Sequence, residues 1–165
     1  MQNEKRGQVE YFLTMTLHNI KEIEKAIGYR FGNKRLLETA FTTPAYANQQ
    51  KSKGETLESG DRLEFLGDAV LKYIVTHRLY MSGNFTADQM TKDRQTYERF
   101  ETHAGIVDCL GLAQYLSLVG NQGVSEKMKS DLFESIIGAV YLDKRGGLKE
   151  ARRLISRFMF SDNEK

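Results

Sequence analysis

The sequence predicts an all-α protein, and three observations support this prediction. Proline occurs once in 165 residues, at Pro44, so few positions break a helix. Apolar residues recur at steps of three and four along much of the chain, which places them on one face of a helix. No segment has the sustained alternation of apolar and polar residues that is typical of a half-buried strand. The length is room for one domain, which we assign to residues 1–165.

The first two predicted helices precede the single proline. An apolar stripe from Val9 to Ala26 predicts a helix, and Gly28 is suited to end it because glycine readily adopts the left-handed conformation. Asn33 predicts the cap of a short second helix. Pro44 is expected to end that segment, since the residue before a proline is pushed away from the helical region.

A solvated loop and a long central helix follow. Residues 47–60 are polar and contain two glycines, which predicts a loop. The segment from Asp61 to about Met81 is long and strongly apolar, and it predicts a central helix. Thr86 and Gln89 have the spacing of a capping box, so a polar helix is expected from there to about residue 101.

The last third of the chain predicts two more apolar helices. Short helical pieces are expected over 102–110 and 111–117, and they precede a glycine-containing loop. The segments Asp131–Asp143 and Leu148–Phe160 carry apolar residues at helical spacing. The segments expected to be loops or frayed ends are 1–8, 47–60, 119–129 and 161–165.

Composition excludes several classes of protein. The chain has 24 basic and 22 acidic residues, a net charge of +2, which excludes polybasic coating proteins and acidic tail proteins but leaves a local basic surface open. The single Cys109 cannot form an internal disulfide, so a reducing, intracellular setting is expected, with cytoplasm and nucleus not distinguished. No uncharged stretch is long enough to span a bilayer, and no membrane partner is expected.

Acidic residues occur within the two most apolar predicted helices. Glu64 and Asp68 are spaced i, i+4, and Asp131 and Glu134 are spaced i, i+3, so each pair shares one helical face. An ionised carboxylate in an apolar setting is costly unless a basic side chain or a cation compensates it. An all-oxygen ligand set suits Mg²⁺ or Mn²⁺, and Mg²⁺ commonly also binds phosphate oxygens. The pattern favours a magnesium site for phosphoryl chemistry over ordinary surface acids, while Arg and Lys partners remain an alternative.

Two glycines support this interpretation, and the histidines offer no rival site. Gly67 and Gly138 lie mid-helix, where glycine costs about 1 kcal/mol relative to alanine. We expect the two helices to cross tightly at these glycines, which would bring the acids together. The three histidines are scattered, and none has the Glu-x-x-His spacing of di-iron helix bundles: His18, His77 and His103.

Two long motifs resemble those of the ribonuclease III family. Asp61–Leu71 resembles the family's signature motif, and Asp131–Asp143 resembles its second acidic motif. Gly28–Phe31 and the following Leu36–Thr42 resemble its N-terminal helical region. The resemblance extends from about residue 18 to 158, and the wording Phe133-Glu134-Ser135 is closer to Dicer-type domains than to most bacterial members.

The resemblance implies an all-helical, homodimeric endonuclease domain of about seven to nine helices. Such a domain uses Mg²⁺, which Mn²⁺ could replace, to hydrolyse double-stranded RNA in RNA processing or silencing. Each subunit would cut one strand, leaving a 5′-phosphate and a short 3′ overhang. The alternative left open is a catalytically inactive, ribonuclease III-like scaffold that binds RNA.

Family roles carry over to individual residues by position. The resemblance implies that the metal-binding and catalytic acids are Glu64, Asp68, Asp131 and Glu134. Phe65 matches a residue that inserts into the partner subunit at the dimer interface. Lys127 matches a Dicer-type lysine that contacts the reacting phosphate, with a solvated loop lysine as the alternative. Lys127 and Lys129 are also candidate RNA contacts.

The sequence departs from the family pattern in a few places. Asp61 stands where bacterial members usually have Glu, and Thr43 replaces a common His. Ala87 falls at an accessory acidic position of many members, which leaves that position unfilled. Only five residues follow Phe160, so the chain is expected to lack the family's C-terminal double-stranded-RNA-binding domain. A separate RNA-binding protein is left open as a partner.

Overall fold

The computed structural model describes residues 15–160, and this part of the chain is helical. The α-helices, numbered in chain order, are α1 Leu17–Ile27, α2 Lys34–Ala40, α3 Pro44–Ser52, α4 Asp61–Met81, α5 Ala87–Tyr97, α6 Phe100–Cys109, α7 Glu126–Leu142 and α8 Leu148–Met159. A three-residue 3₁₀ helix, Ala113–Tyr115, lies between α6 and α7. Over residues 15–160 the one β pairing is an isolated bridge between Thr42 and Ser117. The predicted all-α class is confirmed.

The two long helices α4 and α7 form the centre of the molecule, and they make the largest helix–helix contact in the structure. They meet at Gly67 and Gly138, as predicted. A Cβ atom at Gly67 would overlap the backbone carbonyl of Glu134, and one at Gly138 would overlap that of Leu63. Only glycine allows the two backbones to approach this closely.

The remaining helices enclose a core around this central pair. Helix α6 packs on α7, α2 contacts both α7 and α4, and α8 closes the other side of the same two helices. The largest fully buried apolar side chains are Phe31, Phe41, Phe133, Ile23, Leu37, Leu71, Ile74, Leu112, Ile136, Ile137 and Ile155. Within the described residues, no helix has the length and apolar character needed to cross a bilayer.

The structure confirms one prediction around Pro44 and corrects another. Helix α2 ends at Ala40 and Thr43 is extended, as expected before a proline. Thr43 also caps α3, its hydroxyl accepting from the backbone N–H of Tyr46, so Pro44 is the first residue of a further helix. Proline is well tolerated there because the first N–H groups of a helix need no intrahelical acceptor. The predicted loop 47–60 is therefore helical as far as Ser52 and irregular only beyond it.

The predicted loop 119–129 is also partly helical. Ser125 caps α7 by accepting from the backbone N–H of Met128, so the helix begins at Glu126, ahead of the predicted start at Asp131. This correction matters for the site, because it puts Lys127 on the helix that carries Asp131. The first predicted helix is described from Leu17 to Ile27, and its expected start at Val9 lies outside the described residues.

A buried carboxylate ties the N-terminal region to the end of α7. Asp143 accepts hydrogen bonds from the Tyr29 hydroxyl at 2.7 Å, the Gly32 N–H at 2.7 Å and the Asn33 N–H at 2.9 Å. Burial opposes ionisation of this carboxyl, but these hydrogen bonds outweigh it and hold the pKa of Asp143 below its ordinary value. Burial and the bond to Asp143 raise the pKa of Tyr29. These hydrogen bonds to Asp143 fix the position at which α2 begins.

Candidate active site

The four predicted acids lie at the crossing of α4 and α7. Glu64 and Asp68 are on α4, Asp131 and Glu134 are on α7, and each is partly buried. Burial raises the pKa of Glu64, and the charges of Asp131 and Glu134 raise it further, while Lys127 opposes them. Three of the four predicted acids therefore share one electrostatic environment.

Two lysines compensate part of this negative charge. The ammonium group of Lys127 lies 2.8 and 2.7 Å from the two carboxylate oxygens of Asp131, one helical turn away. That of Lys72 lies 2.7 Å from Oδ2 of Asp68 in the same i, i+4 arrangement. The hydrogen bond to the acid raises the pKa of each lysine. The structure thus contains the basic partners that the sequence left as an alternative to a metal.

The donor chemistry of the acids fits a hard divalent cation. Carboxylate oxygens are the ligands that such ions prefer, and the repulsion felt by Glu64 is the kind that a cation relieves. Among residues 15–160, however, no three His, Cys, Asp or Glu side chains converge as a formed ligand group. Binding an ion through Asp68 or Asp131 would compete with Lys72 or Lys127.

An open cavity of about 300 Å³ lies beside the acids. Asp61, Glu64, Asp131 and Lys127 form its charged side, and Leu116 and Leu132 are among its apolar residues. It offers a ligand both an ammonium group and carboxylates within one recess. Lys127 would attract a phosphate group, but the carboxylates would repel it unless a cation lay between them.

A histidine that sequence reasoning set aside contacts the acid cluster. His103 on α6 is 1% exposed, and its Nδ1 lies 3.1 Å from Oε1 of Glu134 and 3.1 Å from Oγ of Ser130. Its Nε2 lies 2.8 Å from the backbone oxygen of Tyr97. The contact joins α6 to α7, so helical periodicity within one segment could not reveal it.

The two remaining predicted site residues are Phe65 and Lys129. Phe65 is 83% exposed on α4 and borders a cavity that Leu36, Leu66 and Leu142 also line. The ammonium group of Lys129 lies 2.7 Å from Asp108 and 3.1 Å from Glu126, so it is ion-paired, and the RNA contact expected of it stays a prediction.

Comparison with known proteins agrees with this arrangement. A family described as Ribonuclease-III-like matches residues 33–163, which include both acidic motifs. The chain belongs to this ribonuclease III-like family. The family expected from the sequence motifs is thereby confirmed.

The similar curated proteins are bacterial. The ribonuclease III-like chain is 36% identical over 148 residues to "Ribonuclease 3" of Streptococcus equi subsp. zooepidemicus, covering 86% of this chain and 63% of that protein. It is 38% identical over 147 residues to "Ribonuclease 3" of Chlamydia muridarum, covering 83% and 60%. The chain thus spans about three fifths of the length of these relatives. The expected Dicer-type character is not supported, because a three-residue wording carries far less information than similarity along the whole domain.

Solved structures give the same fold. A nuclease domain of ribonuclease III from Campylobacter jejuni superposes with a TM-score of 0.73 at 26% identity, covering 86% of this chain and 99% of that one. The description of that structure refers to a region involved in dimer formation. A second structure of the same nuclease domain gives a TM-score of 0.70.

Proposed function

We propose that this chain is a Mg²⁺-dependent endonuclease domain that hydrolyses double-stranded RNA, leaving 5′-phosphates and short 3′ overhangs. The observation that carries the proposal is the cluster of carboxylates at the glycine crossing of α4 and α7, beside an open cavity. Family membership supports the reaction class. Duplex RNA has a deep, narrow major groove, and protein side chains cannot read the bases there. Recognition by shape and backbone therefore suits this substrate.

The four acids have a shared task in this proposal. Glu64, Asp68, Asp131 and Glu134 would hold the divalent cation, which when bound supplies a more acidic water and neutralises charge on the reacting phosphate. A cation would stabilise the charged form of Glu64, which burial and its acidic neighbours both penalise. The close backbone contact at Gly67 and Gly138 fixes the separation of the two helices that carry the acids.

Lys127 is proposed to contact the phosphate of the substrate. Its ammonium group lines the cavity, so release from Asp131 would make it available to a phosphate oxygen. Lys127→Met should reduce cleavage by about ten-fold or more, because one charge-assisted contact is lost. Lys92→Met is the matched control, since Lys92 pairs with the exposed Asp88 on α5. Equal loss in both variants, measured as the initial rate on duplex RNA, would contradict the role.

The proposal also includes a homodimer in which each subunit cuts one strand. Phe65 is a large apolar side chain held 83% exposed beside an apolar cavity, which is an arrangement typical of an interface. A separate RNA-binding protein remains a further proposed partner.

One observation favours a second candidate function, an inactive RNA-binding scaffold. Asp68 and Asp131 already have lysine partners, so the protein does not need a metal to compensate these two charges. In that case the acids would stabilise the helix crossing. Adding Mg²⁺ would cause no RNA cleavage, and replacing the acids would not change this.

Cleavage of a defined RNA duplex separates the two candidates. The wild-type protein, Glu134→Gln and the control Glu101→Gln would be incubated with duplex RNA and Mg²⁺, since Glu101 is an exposed residue in the first turn of α6. We expect wild type and control to cleave, and Glu134→Gln to lose about 100-fold or more in rate because a metal-binding carboxylate is gone. Cleavage by all three proteins would overturn the site, and cleavage by none would favour the scaffold.

A further inference from the structure

We propose that His103 is a positioning residue that holds the Glu134 carboxylate, an inference that rests on the proposed nuclease function. Its imidazole is 1% exposed, and the Glu134 side chain is 15% exposed. Nδ1 lies 3.1 Å from Oε1 of Glu134, the separation of an ion pair when both ring nitrogens carry a proton. A buried polar ring therefore lies against one of the proposed metal-binding acids. The roles proposed for the four acids do not explain why it is there.

The orientation of the ring is fixed from the opposite side. Nε2 lies 2.8 Å from the backbone oxygen of Tyr97, the last residue of α5. A carbonyl oxygen only accepts, so Nε2 donates to Tyr97, and a carboxylate also only accepts, so Nδ1 must donate as well for the ring to hold Glu134. The ring satisfies one of the carbonyls that a helix end leaves unpaired. The Phe133 ring, 5.3 Å away between centroids, packs beside the imidazole. The second nitrogen therefore has a fixed direction, toward α7.

That fixed nitrogen reaches two side chains one turn apart on α7. Ser130 precedes Glu134 by four residues, and its hydroxyl also lies 3.1 Å from Nδ1. Glu134 Oε1 is thus held at the buried end of the acid cluster by a group that is itself anchored. Groups that orient a metal-binding side chain in this way commonly account for 10- to 100-fold in metal affinity.

Three substitutions separate positioning from simple core filling. An Asn amide nitrogen is one bond from Cγ, like Nδ1, so His103→Asn keeps a polar group near Glu134. The amide of His103→Gln lies one bond farther, like Nε2, so it keeps the contact with Tyr97 and loses the one with Glu134. His103→Leu fills the space and removes both contacts. If the Leu variant fails to fold, the Asn and Gln variants still make the comparison.

A spectroscopic measurement tests the contact without RNA or metal. Two-bond ¹H–¹⁵N spectra of the ring nitrogens would be recorded for the wild-type protein and for Glu134→Gln. We expect the Nδ1 resonance of His103 to move, while the resonances of His18 on α1 and His77 on α4 stay in place. An unchanged His103 resonance would overturn the proposal.

Metal titration and kinetics test the consequence. Mn²⁺ binding would be followed by electron paramagnetic resonance, and kcat and KM would be measured on duplex RNA. The Gln and Leu variants should bind Mn²⁺ about ten-fold or more weakly and lose kcat with little change in KM, while Asn recovers most of both. Equal values in all variants, or an Asn variant as poor as Leu, would overturn positioning. A wild-type protein that binds Mn²⁺ but leaves duplex RNA intact would instead refute the nuclease function.

Discussion

At the scale of single residues, the surroundings of each carboxylate determine whether its negative charge is stabilised. Asp143, at the C-terminal end of α7, accepts three hydrogen bonds from the segment before α2, although it is separated from that segment by most of the chain. These bonds hold the pKa of Asp143 below its ordinary value despite its burial. The carboxylate is therefore a structural ion, in contrast to Glu64, whose pKa is raised by burial and by its acidic neighbours.

Asp143→Asn should destabilise the fold. An amide cannot replace a carboxylate that accepts from Tyr29, Gly32 and Asn33, so we expect a loss of about 1–3 kcal/mol in the free energy of unfolding. Urea denaturation followed by circular dichroism measures it. Asp88→Asn is the control, because Asp88 is exposed and paired only in an i, i+4 bridge with Lys92, where a change below about 0.5 kcal/mol is expected.

The contribution of Asp143 also has a predictable pH dependence. Its folded pKa is lower than its unfolded pKa, so the stability it supplies is present above pH 4 or so and is lost as the pH falls through the folded pKa. The wild-type protein should therefore lose part of its advantage over Asp143→Asn on acidification from neutral pH to about pH 3. A stability difference that stays constant over this range would contradict the pKa assignment.

The sequence alone allowed site residues to be predicted where their charge conflicts with apolar neighbours. Glu64 and Glu134 were identifiable because acids at helical spacing in apolar segments need compensation. Lys127 came from the family resemblance, yet its pairing with Asp131 required knowing that α7 begins before it. His103 was not predictable as a partner of Glu134, because that contact depends on how α6 packs on α7.

Helices as units follow rules that sequence patterns capture in part. The capping box at Thr86 and Gln89 was predicted and is present, because capping is a local property of a few residues. The starts of α3 and α7 were missed. Thr43 and Ser125 each form a cap that a purely apolar pattern does not register. Predicted helix boundaries therefore fail where a polar turn precedes the apolar stripe.

The crossing of α4 and α7 is tested by adding one methyl group. Gly67→Ala should cost about 1–3 kcal/mol or more in the free energy of unfolding, because the new Cβ overlaps the backbone carbonyl of Glu134 and the helices must separate. Gly105→Ala, on α6, is the matched control, since nothing lies within 4 Å of its added Cβ. That variant should gain about 0.4–1 kcal/mol through helix propensity.

Denaturation of both variants gives the sign of each change directly. Duplex cleavage by Gly67→Ala should also fall at temperatures where the variant stays folded, because separating the helices moves Glu64 and Asp68 away from Asp131 and Glu134. A Gly67→Ala protein as stable as Gly105→Ala would contradict close backbone packing at the crossing. The predicted loss of stability does not depend on a bound metal, because it comes from overlap between the two helix backbones.

At the scale of the whole molecule, Phe65 is the most exposed large apolar side chain among residues 15–160. Phe65 projects from α4, and the cavity beside it is lined by Leu36, Leu66 and Leu142, the last of which is 52% exposed. An exposed side chain of this size next to an apolar recess suits a two-fold interface, in which each copy inserts its ring into the other. The family resemblance singled out Phe65, but the sequence alone could not show that its side chain is exposed.

Phe65→Ala should weaken self-association of the protein. Burying one phenylalanine side chain contributes about 1.5–3 kcal/mol, so removing it from each subunit of a two-fold dimer should raise the dissociation constant by about 100-fold or more. Sedimentation equilibrium over a range of concentrations measures this constant. Phe100→Ala is the control, because Phe100 is 52% exposed at the start of α6 and does not line the cavity beside Phe65. Association unchanged by Phe65→Ala, or weakened equally by both substitutions, would contradict an interface centred on Phe65, since only a ring inserted between subunits loses contact area that the control retains.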